Sequence, residues 1–511
     1  MSNLSYKTIN NLFYSVFGFL WPLVLTFFTL PILIHALGTE KYGYYILVNV
    51  GIAFFSLLDI GFSYRFIKKL SEIVTISAEN ELKINTLFST TFWAYAFLGS
   101  MIFVLLLVLP TLYRPILDVP SGYIENKQFF ILCLSLNFFV KMLTNLVSQI
   151  PYAVQRSDVT VKIAVVSSTL VQILSIIAVI SGMGITGLVV VQLFSSILVF
   201  VAYISMSRKI LPNLRLLRIF SFSDFKKILK DGVWVFIANG TGNILSQLDK
   251  FVVGLFCGTS GVTYYSSAQM VPEKINSTAF SLSLVLFPVF SQVSATRDII
   301  TARAIFRRGL SLIAFISAGL AMLVLIYNYQ IYYYWLGKEI ADNSYVAVNF
   351  LAVTYLLIAF TGFCDLFLNG WGKIKSTALI SGSMAFLNVV FMFILIPRFN
   401  VAGAAMAYFV SVLPAVFIVL FIEKKYFKSV TMEVFKYYFS LALRLLLVVL
   451  TVSAASLLFK PLITNLLLVM IFGCISIVMY FSLYWFGGFF NEEDITLFKN
   501  FFIQKFHRVI N

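Results

Sequence analysis

Residues 239–265 read NGTGNILSQLDKFVVGLFCGTSGVTYY, an apolar run threaded by a narrow polar seam. Asn239, Asn243, Ser246, Gln247 and Lys250 fall at i, i+4, i+7, i+8 and i+11, one face of an α-helix. Asp249 sits at the edge of that face. The other faces carry Phe, Val, Leu and Ile, which suit lipid or helix packing. A Lys and an Asp in such a segment are costly unless they face protein or a wet cavity. The end of the stretch also echoes the start of the chain. Gly258-Thr259 and Tyr264-Tyr265 repeat Gly38-Thr39 and Tyr44-Tyr45 at a constant offset of 220 residues. The first inference is a duplicated helical membrane protein.

Composition agrees. The 511 residues are 60% hydrophobic and 11% charged, whereas a soluble globule is nearer half apolar and a quarter charged. Such a chain cannot hide its apolar surface from water. The net charge of +16 does not point to nucleic acid, because the basic residues cluster between apolar segments, as membrane topology requires. Cys133, Cys257, Cys364 and Cys474 are far apart and show no metal-ligand spacing, so they read as reduced, structural thiols. His35 and His507 form no cluster, and no metal site is expected. The first apolar span follows only Lys7 and has no A-x-A site after it, so it reads as a retained span.

A transmembrane helix needs about 20 mostly apolar residues. Fourteen such spans are expected: 10–36, 42–64, 86–110, 128–150, 162–182, 185–206, 232–256, 262–290, 309–332, 345–370, 377–397, 402–422, 439–459 and 464–486. The fold class is therefore all-α and polytopic. With the N-terminus inside, cytoplasmic segments carry 27 Lys and Arg and external loops carry 6, which places both termini in the cytoplasm. Residues 1–206 form an N-terminal six-helix lobe and 207–231 a basic, amphipathic cytoplasmic linker. Residues 232–422 form the second six-helix lobe, 423–486 an added helix pair, and 487–511 a cytoplasmic tail. Ile185-Thr186-Gly187-Leu188 and Val401-Ala402-Gly403-Ala404 open the last span of each lobe. An even number of spans per lobe makes the repeats parallel, related by an axis along the membrane normal, with a central cavity expected between them.

Polar seams recur in other spans. Span four carries Asn137, Lys141, Thr144, Asn145, Ser148 and Gln149 on one face, and span two carries Tyr45, Asn49, Ser56, Asp59 and Ser63. Span eight has Ser266, Glu273 and Ser277 with Lys274 beside them, and span ten has Thr361, Asp365 and Asn369. Hydroxyls and amides of this kind commonly bond neighbouring helices. Ionisable groups weigh differently. Adjacent residues point about 100° apart on a helix, so Asp249–Lys250 and Glu273–Lys274 pair poorly within one segment. Lys141 has no carboxylate within a turn of its own span. Lys141 and Lys250 therefore read as lining a hydrated cavity. Asp59 and Asp365 stand near a cytoplasmic interface, where solvation competes with function. Pro22, Pro31, Pro272, Pro288 and Pro414 interrupt spans. No nucleotide loop, metal cluster or nucleophile–base pair is visible, and the longest external loop, Thr111–Lys127, holds 17 residues. Membrane polymerases and ligases usually place their chemistry on a large external loop, which makes a glycan polymerase a poor reading.

The opening pattern Asn11…Gly18…Pro31…Leu37-Gly38-x-x-x-Tyr42-Gly43, then Asp59-x-Gly61, resembles the Wzx-type polysaccharide transporters of the MATE/MOP superfamily. So does Gln247-Leu248-Asp249-Lys250…Gly254…Tyr264-Tyr265-x-x-Ala268, followed by Phe287-Pro288. The resemblance implies a non-enzymatic flippase of the bacterial inner membrane. Its implied substrate is an undecaprenyl-pyrophosphate-linked oligosaccharide repeat unit of O-antigen, capsule or a similar surface polysaccharide. A cationic central cavity, H+ or Na+ gradient coupling in place of any cofactor, and a polysaccharide polymerase and chain-length regulator as partners are implied as well. Substrate-binding candidates are Lys141, Lys250, Lys274, Asn137, Asn145, Asn243 and Gln247, and ion-coupling candidates are Asp249, Glu273, Asp59 and Asp365. The alternatives are a lipid II flippase of the MurJ type, expected to show more cavity arginines, and a MATE-type drug antiporter, which usually has twelve spans.

Overall fold

A computed structural model describes residues 2–56, 62–76, 81–112, 122–154, 156–284, 286, 290, 293 and 298–487. Helices dominate because a backbone crossing lipid must satisfy its own hydrogen bonds, and an α-helix does so within one segment. In chain order they are α1 (Ser2–Leu37), α2 (Thr39–Ser56), α3 (Phe62–Ile76), α4 (Glu81–Leu112), α5 (Lys127–Ala153), α6 (Ser157–Ile180) and α7 (Gly184–Ile210). Then follow α8 (Phe222–Met270), α9 (Glu273–Leu284), α10 (Ile299–Leu336), α11 (Lys338–Gly370), α12 (Ile374–Val412), α13 (Ile418–Lys425), α14 (Thr431–Phe459) and α15 (Leu466–Phe486). Among the described residues nine helices are long and apolar enough to cross a membrane, and the bent pair at α1 and α2 makes a tenth candidate. The chain is a multi-pass membrane protein.

Sharp turns recover the expected span boundaries inside continuous helices. At Gly258 the backbone takes φ 70°, which breaks α8 between spans seven and eight. Asn400, at φ 50°, breaks α12 between spans eleven and twelve. Gly38 takes φ 82° and lets Trp21–Leu37 and Thr39–Phe54 meet at 118°. Glycine adopts such angles without the Cβ clash that other residues meet. Gly38 and Gly258 are the repeated pair seen in the sequence.

The turn regions of the repeat also touch. Thr263 Oγ1 donates to the Thr39 carbonyl at 2.6 Å. Gly43 lies so close to Thr259 that a Cβ at this position would stand 1.8 Å from its carbonyl oxygen. Thr39 corresponds to Thr259 and Gly43 to Thr263 in the duplication. Each position thus meets the other's counterpart, the pattern of a two-fold relation. The chain divides into two compact units, Met1–Thr263 and Tyr264–Asn511, and this contact lies within the first. By packing, span seven and the start of span eight group with the first unit, a division that differs from the lobe boundaries at 206 and 232 expected from the sequence.

In the first unit, Phe66, Leu70, Tyr95, Leu146 and Ile150 are fully buried in one core. In the second, Phe290, Phe306, Phe363 and Phe367 pack edge to face, the geometry aromatic quadrupoles favour. The last two helices dock onto α10 through Phe315, which stacks on Tyr480 at 5.0 Å, and the Tyr480 hydroxyl donates to the Phe315 carbonyl at 2.8 Å. Asp298 caps α10 by accepting from the Thr301 amide at 3.0 Å, and the Thr301 hydroxyl and then this amide hold its carboxyl below the usual range. Its capping contribution is present at neutral pH and is lost as pH falls through the folded-state value.

The prolines divide into two kinds. Pro22 and Pro31 lie inside an unbroken α1. Pro272 stands in the gap between α8 and α9, and Pro414 opens a 3-10 segment, Leu413–Phe417, within span twelve. Pro288 lies outside the described residues.

The topology has a direct test. Glu125, Asn343 and Arg398 are exposed in the short turns, and Arg218 and Thr301 are exposed in the Lys/Arg-rich segments. With the four native cysteines replaced, cysteines at the first three positions are expected to react with an impermeant thiol reagent added to intact cells. Cysteines at the last two are expected to react only after permeabilisation. Reversed labelling overturns the arrangement with both termini inside.

Candidate functional site

The seam on α5 separates into two groups. Asn137 is fully buried; its amide donates to Gln192 Oε1 at 3.3 Å and its carbonyl accepts from Ser196 at 2.7 Å. Gln192 also donates to the Tyr45 hydroxyl and, at 3.2 Å, to Asn49 Oδ1. These residues weld α2, α5 and α7 into one polar knot, so Asn137 serves helix packing. Gln192 was not among the sequence candidates. Its signal was a lone amide in the apolar run LVVVQLF.

The rest of the α5 seam is exposed or half-buried. Thr144 donates to its own helix at Val140, and Ser148 and Gln149 both donate to the Asn145 carbonyl. Lys141 and Asn145, one turn apart, are exposed. No hydrogen bond or ion pair reaches the Lys141 ammonium among the described residues. An exposed cation in the middle of a long apolar helix requires water or an anionic ligand beside it.

On α8, Asp249 is buried, Lys250 and Gln247 are half-buried, and neither charged side chain is isolated. The side chain of Asn243 and the whole of Asp59 lie outside the described residues. Span eight is not one helix: Val271-Pro272 breaks it, and Glu273 opens α9. An acid in a first turn complements the helix dipole, which gives the exposed Glu273 a structural reason for its place. Lys274 is half-buried beside it.

In the second unit, Gln269 and Tyr355 bond each other at 2.7 Å in a buried pair. Asp365 is the unusual acid there. It is half-buried on α11, and its Oδ1 is buried with no hydrogen-bond partner among the described residues. An unmatched buried carboxylate oxygen is costly, so a proton or cation would relieve it. A groove of about 400 Å³ lies between the arms of spans eleven and twelve, lined by Ser383, Leu387, Ser411, Pro414 and Phe417. Its hydroxyls do not make it polar, because Ser383 and Ser411 donate to their own helices at 2.8 and 2.7 Å. None of the polar seams lines it. Among the described residues no cluster of His, Cys, Asp or Glu can hold a metal ion, and all four cysteines are free thiols.

The described residues thus form a helical membrane bundle with Lys141 and Lys250 on the polar seams of α5 and α8. Residues 32–343 match the polysaccharide biosynthesis protein family, and the chain belongs to that family. A protein of Shigella flexneri named "Putative O-antigen transporter" is 22% identical over 414 residues, covering 79% of this chain and 95% of that protein. Among solved structures, the lipid II flippase MurJ in its inward closed conformation superposes with a TM-score of 0.70 at 16% identity, covering 93% of this chain and 99% of that one. An inward-facing multidrug resistance MATE transporter of the MOP superfamily gives 0.65 at 15%, covering 83% and 98%. The fold is therefore that of the MOP superfamily.

Proposed function

We propose that this protein is a flippase for oligosaccharide repeat units linked to undecaprenyl pyrophosphate. It moves them from the cytoplasmic to the periplasmic leaflet of the bacterial inner membrane by alternating access and makes or breaks no covalent bond. The observation that carries this reading is Lys141, an exposed lysine in the middle of α5 whose ammonium has no hydrogen-bond or ion-pair partner among the described residues. Transfer of a sugar head and a diphosphate across roughly 30 Å of hydrocarbon is prohibitive without compensation. A lysine offers a point charge to a phosphate, and exposed amides such as Asn145 offer hydrogen bonds to sugar hydroxyls. The polyprenyl tail stays in lipid throughout. Lys250 and Gln247 on α8, both half-buried, supply a second polar seam. Coupling to an H+ or Na+ gradient is assigned first to Asp365, whose unmatched oxygen gives it a reason to take up a cation.

Similarity to MurJ keeps lipid II as the second reading, since it spans nearly the whole of both chains. A clean deletion separates the two. Loss of one surface polysaccharide on gels, with lipid-linked repeat units accumulating inside viable cells, is the expected result. Arrest of cell-wall synthesis with the surface polysaccharide intact overturns the assignment in favour of lipid II.

A further inference from the structure

The basic segment between α7 and α8 is not free chain. Its backbone is clamped to the first turns of α4 by side chains on one stripe. Asn85 donates to the Asn213 carbonyl at 3.0 Å and accepts from the Arg215 amide at 2.8 Å. Ser89 accepts from the Leu217 amide at 2.7 Å, and Trp93 Nε1 donates to the Leu217 carbonyl at 3.0 Å. Thr90 accepts from the Ser221 amide at 3.1 Å, and Glu81 takes the Asn213 side chain. Asn85, Ser89 and Trp93 stand four residues apart, so one face of α4 substitutes for the strand partner this extended chain lacks. The side chains are left outside. Leu216, Ile219, Phe220 and Phe222 are 45–70% exposed, and Arg208, Lys209, Arg215 and Arg218 are exposed with them.

Their depth in the membrane follows from α4. Trp93, Phe97, Met101, Leu105 and Val108 form an exposed apolar stripe along that helix. On a membrane-spanning helix such a stripe faces lipid. Trp93 is its terminal residue at the end where the strap lies, and tryptophan favours the level where hydrocarbon gives way to headgroups. The strap is hydrogen-bonded to that same tryptophan.

We infer that residues 211–222 form an interfacial strap that binds anionic lipid. The apolar side chains rest among the upper acyl carbons, and the arginines meet the headgroup phosphates of the leaflet at that end. Alternating apolar and basic side chains on a fixed backbone suit that boundary, where long cationic side chains reach outwards to charge. A nucleic acid would leave four large apolar side chains in water. The surface positions α4 and α7 against one leaflet, so the carrier's working state depends on that leaflet's charge.

The test uses full-length protein with its four native cysteines replaced and a single cysteine at Ile219 carrying an environment-sensitive fluorophore. The protein is placed in nanodiscs of phosphatidylcholine alone or mixed with increasing phosphatidylglycerol. Blue-shifted emission and quenching by headgroup-level nitroxide lipid are expected to grow with phosphatidylglycerol and to weaken with salt. R215Q and R218Q, both at exposed positions that leave folding intact, should each raise the phosphatidylglycerol needed for half the effect about fivefold, equivalent to ~1 kcal/mol per cation. N85A/S89A, which loosens the clamp but keeps the arginines, should broaden the label's depth distribution. Water-like emission in every bilayer overturns the strap, and shielding that ignores lipid charge overturns anionic recognition. Shielding that appears only when soluble protein or nucleic acid is added assigns the surface to a different partner and overturns the proposal.

Discussion

Replacing Glu423 by alanine is expected to destabilise the protein by ~3–5 kcal/mol, the usual cost of removing one partner of a buried ion pair. Glu423 is fully buried at the end of span twelve and is the hub of a network joining three helices. Arg307 of α10 grips it through two parallel bonds, Nε to Oε1 at 2.7 Å and a terminal nitrogen to Oε2 at 3.1 Å. Tyr438 of α14 donates to Oε1 at 2.9 Å and Ser429 to Oε2 at 2.6 Å. Arg303 stands 3.5 Å from Oε2, within ion-pair range without hydrogen-bond alignment, and donates to Glu433 at 2.6 Å. Arg307 also covers the Tyr437 ring at 4.7 Å. Alanine would leave Arg307, which is only 14% exposed, with the single longer contact to Glu433 at 3.3 Å beside a polar void. The bidentate geometry makes this pair worth more than an exposed one. Glu423→Gln keeps the shape and two of the acceptor contacts and should lose less. Glu423→Gln combined with Arg307→Met should lose less again, because no buried charge is then left alone. Thermal unfolding of purified protein in detergent reads the series. Equal melting of wild type and Glu423→Ala would refute the hub.

Lys141→Ala and Lys250→Ala are each expected to reduce glycan export at least tenfold while the amount of folded protein in the membrane stays near normal. A tenfold loss corresponds to about 1.4 kcal/mol, well within what one charge-assisted contact to a phosphate contributes. The expectation is firmest for Lys141, whose ammonium holds no protein group in place among the described residues. Lys250 is half-buried among other contacts, so its alanine variant is the one that also tests packing. Arginine at either position should be better tolerated than alanine, since charge is kept, although its planar fork needs more room. Export is read from surface polysaccharide on gels and divided by membrane abundance from immunoblots. Undiminished export per folded molecule in both alanine variants would remove the lysines from the substrate path.

The sequence by itself determined the membrane class, the helical fold and the turns at Gly38 and Gly258 that divide its spans. These rest on local chemistry. A run of about 20 apolar residues has no other stable place, and a glycine at Gly38 or Gly258 marks a turn whatever surrounds it. Family membership was legible as well, since one of its motifs, Leu37-Gly38, sits at such a turn. What the sequence could not decide is which polar group faces what. Asn137 and Lys141 share one seam at helical spacing, yet one is fully buried in a knot with Gln192 and the other reaches solvent. The difference comes from α7, about 50 residues further on, and periodicity within α5 contains no trace of it. Glu273 looked like an acid in mid-span until the break at Pro272 placed it in a helix's first turn. The Arg303, Arg307, Glu423 and Glu433 cluster escaped notice because its arginines lie more than 100 residues from its glutamates and each resembles an ordinary charge at a helix end. The linker's basic character was plain in one dimension. Only tertiary structure could show that Asn85, Ser89 and Trp93 hold its backbone still, since a hydrogen bond between distant segments belongs to neither segment alone.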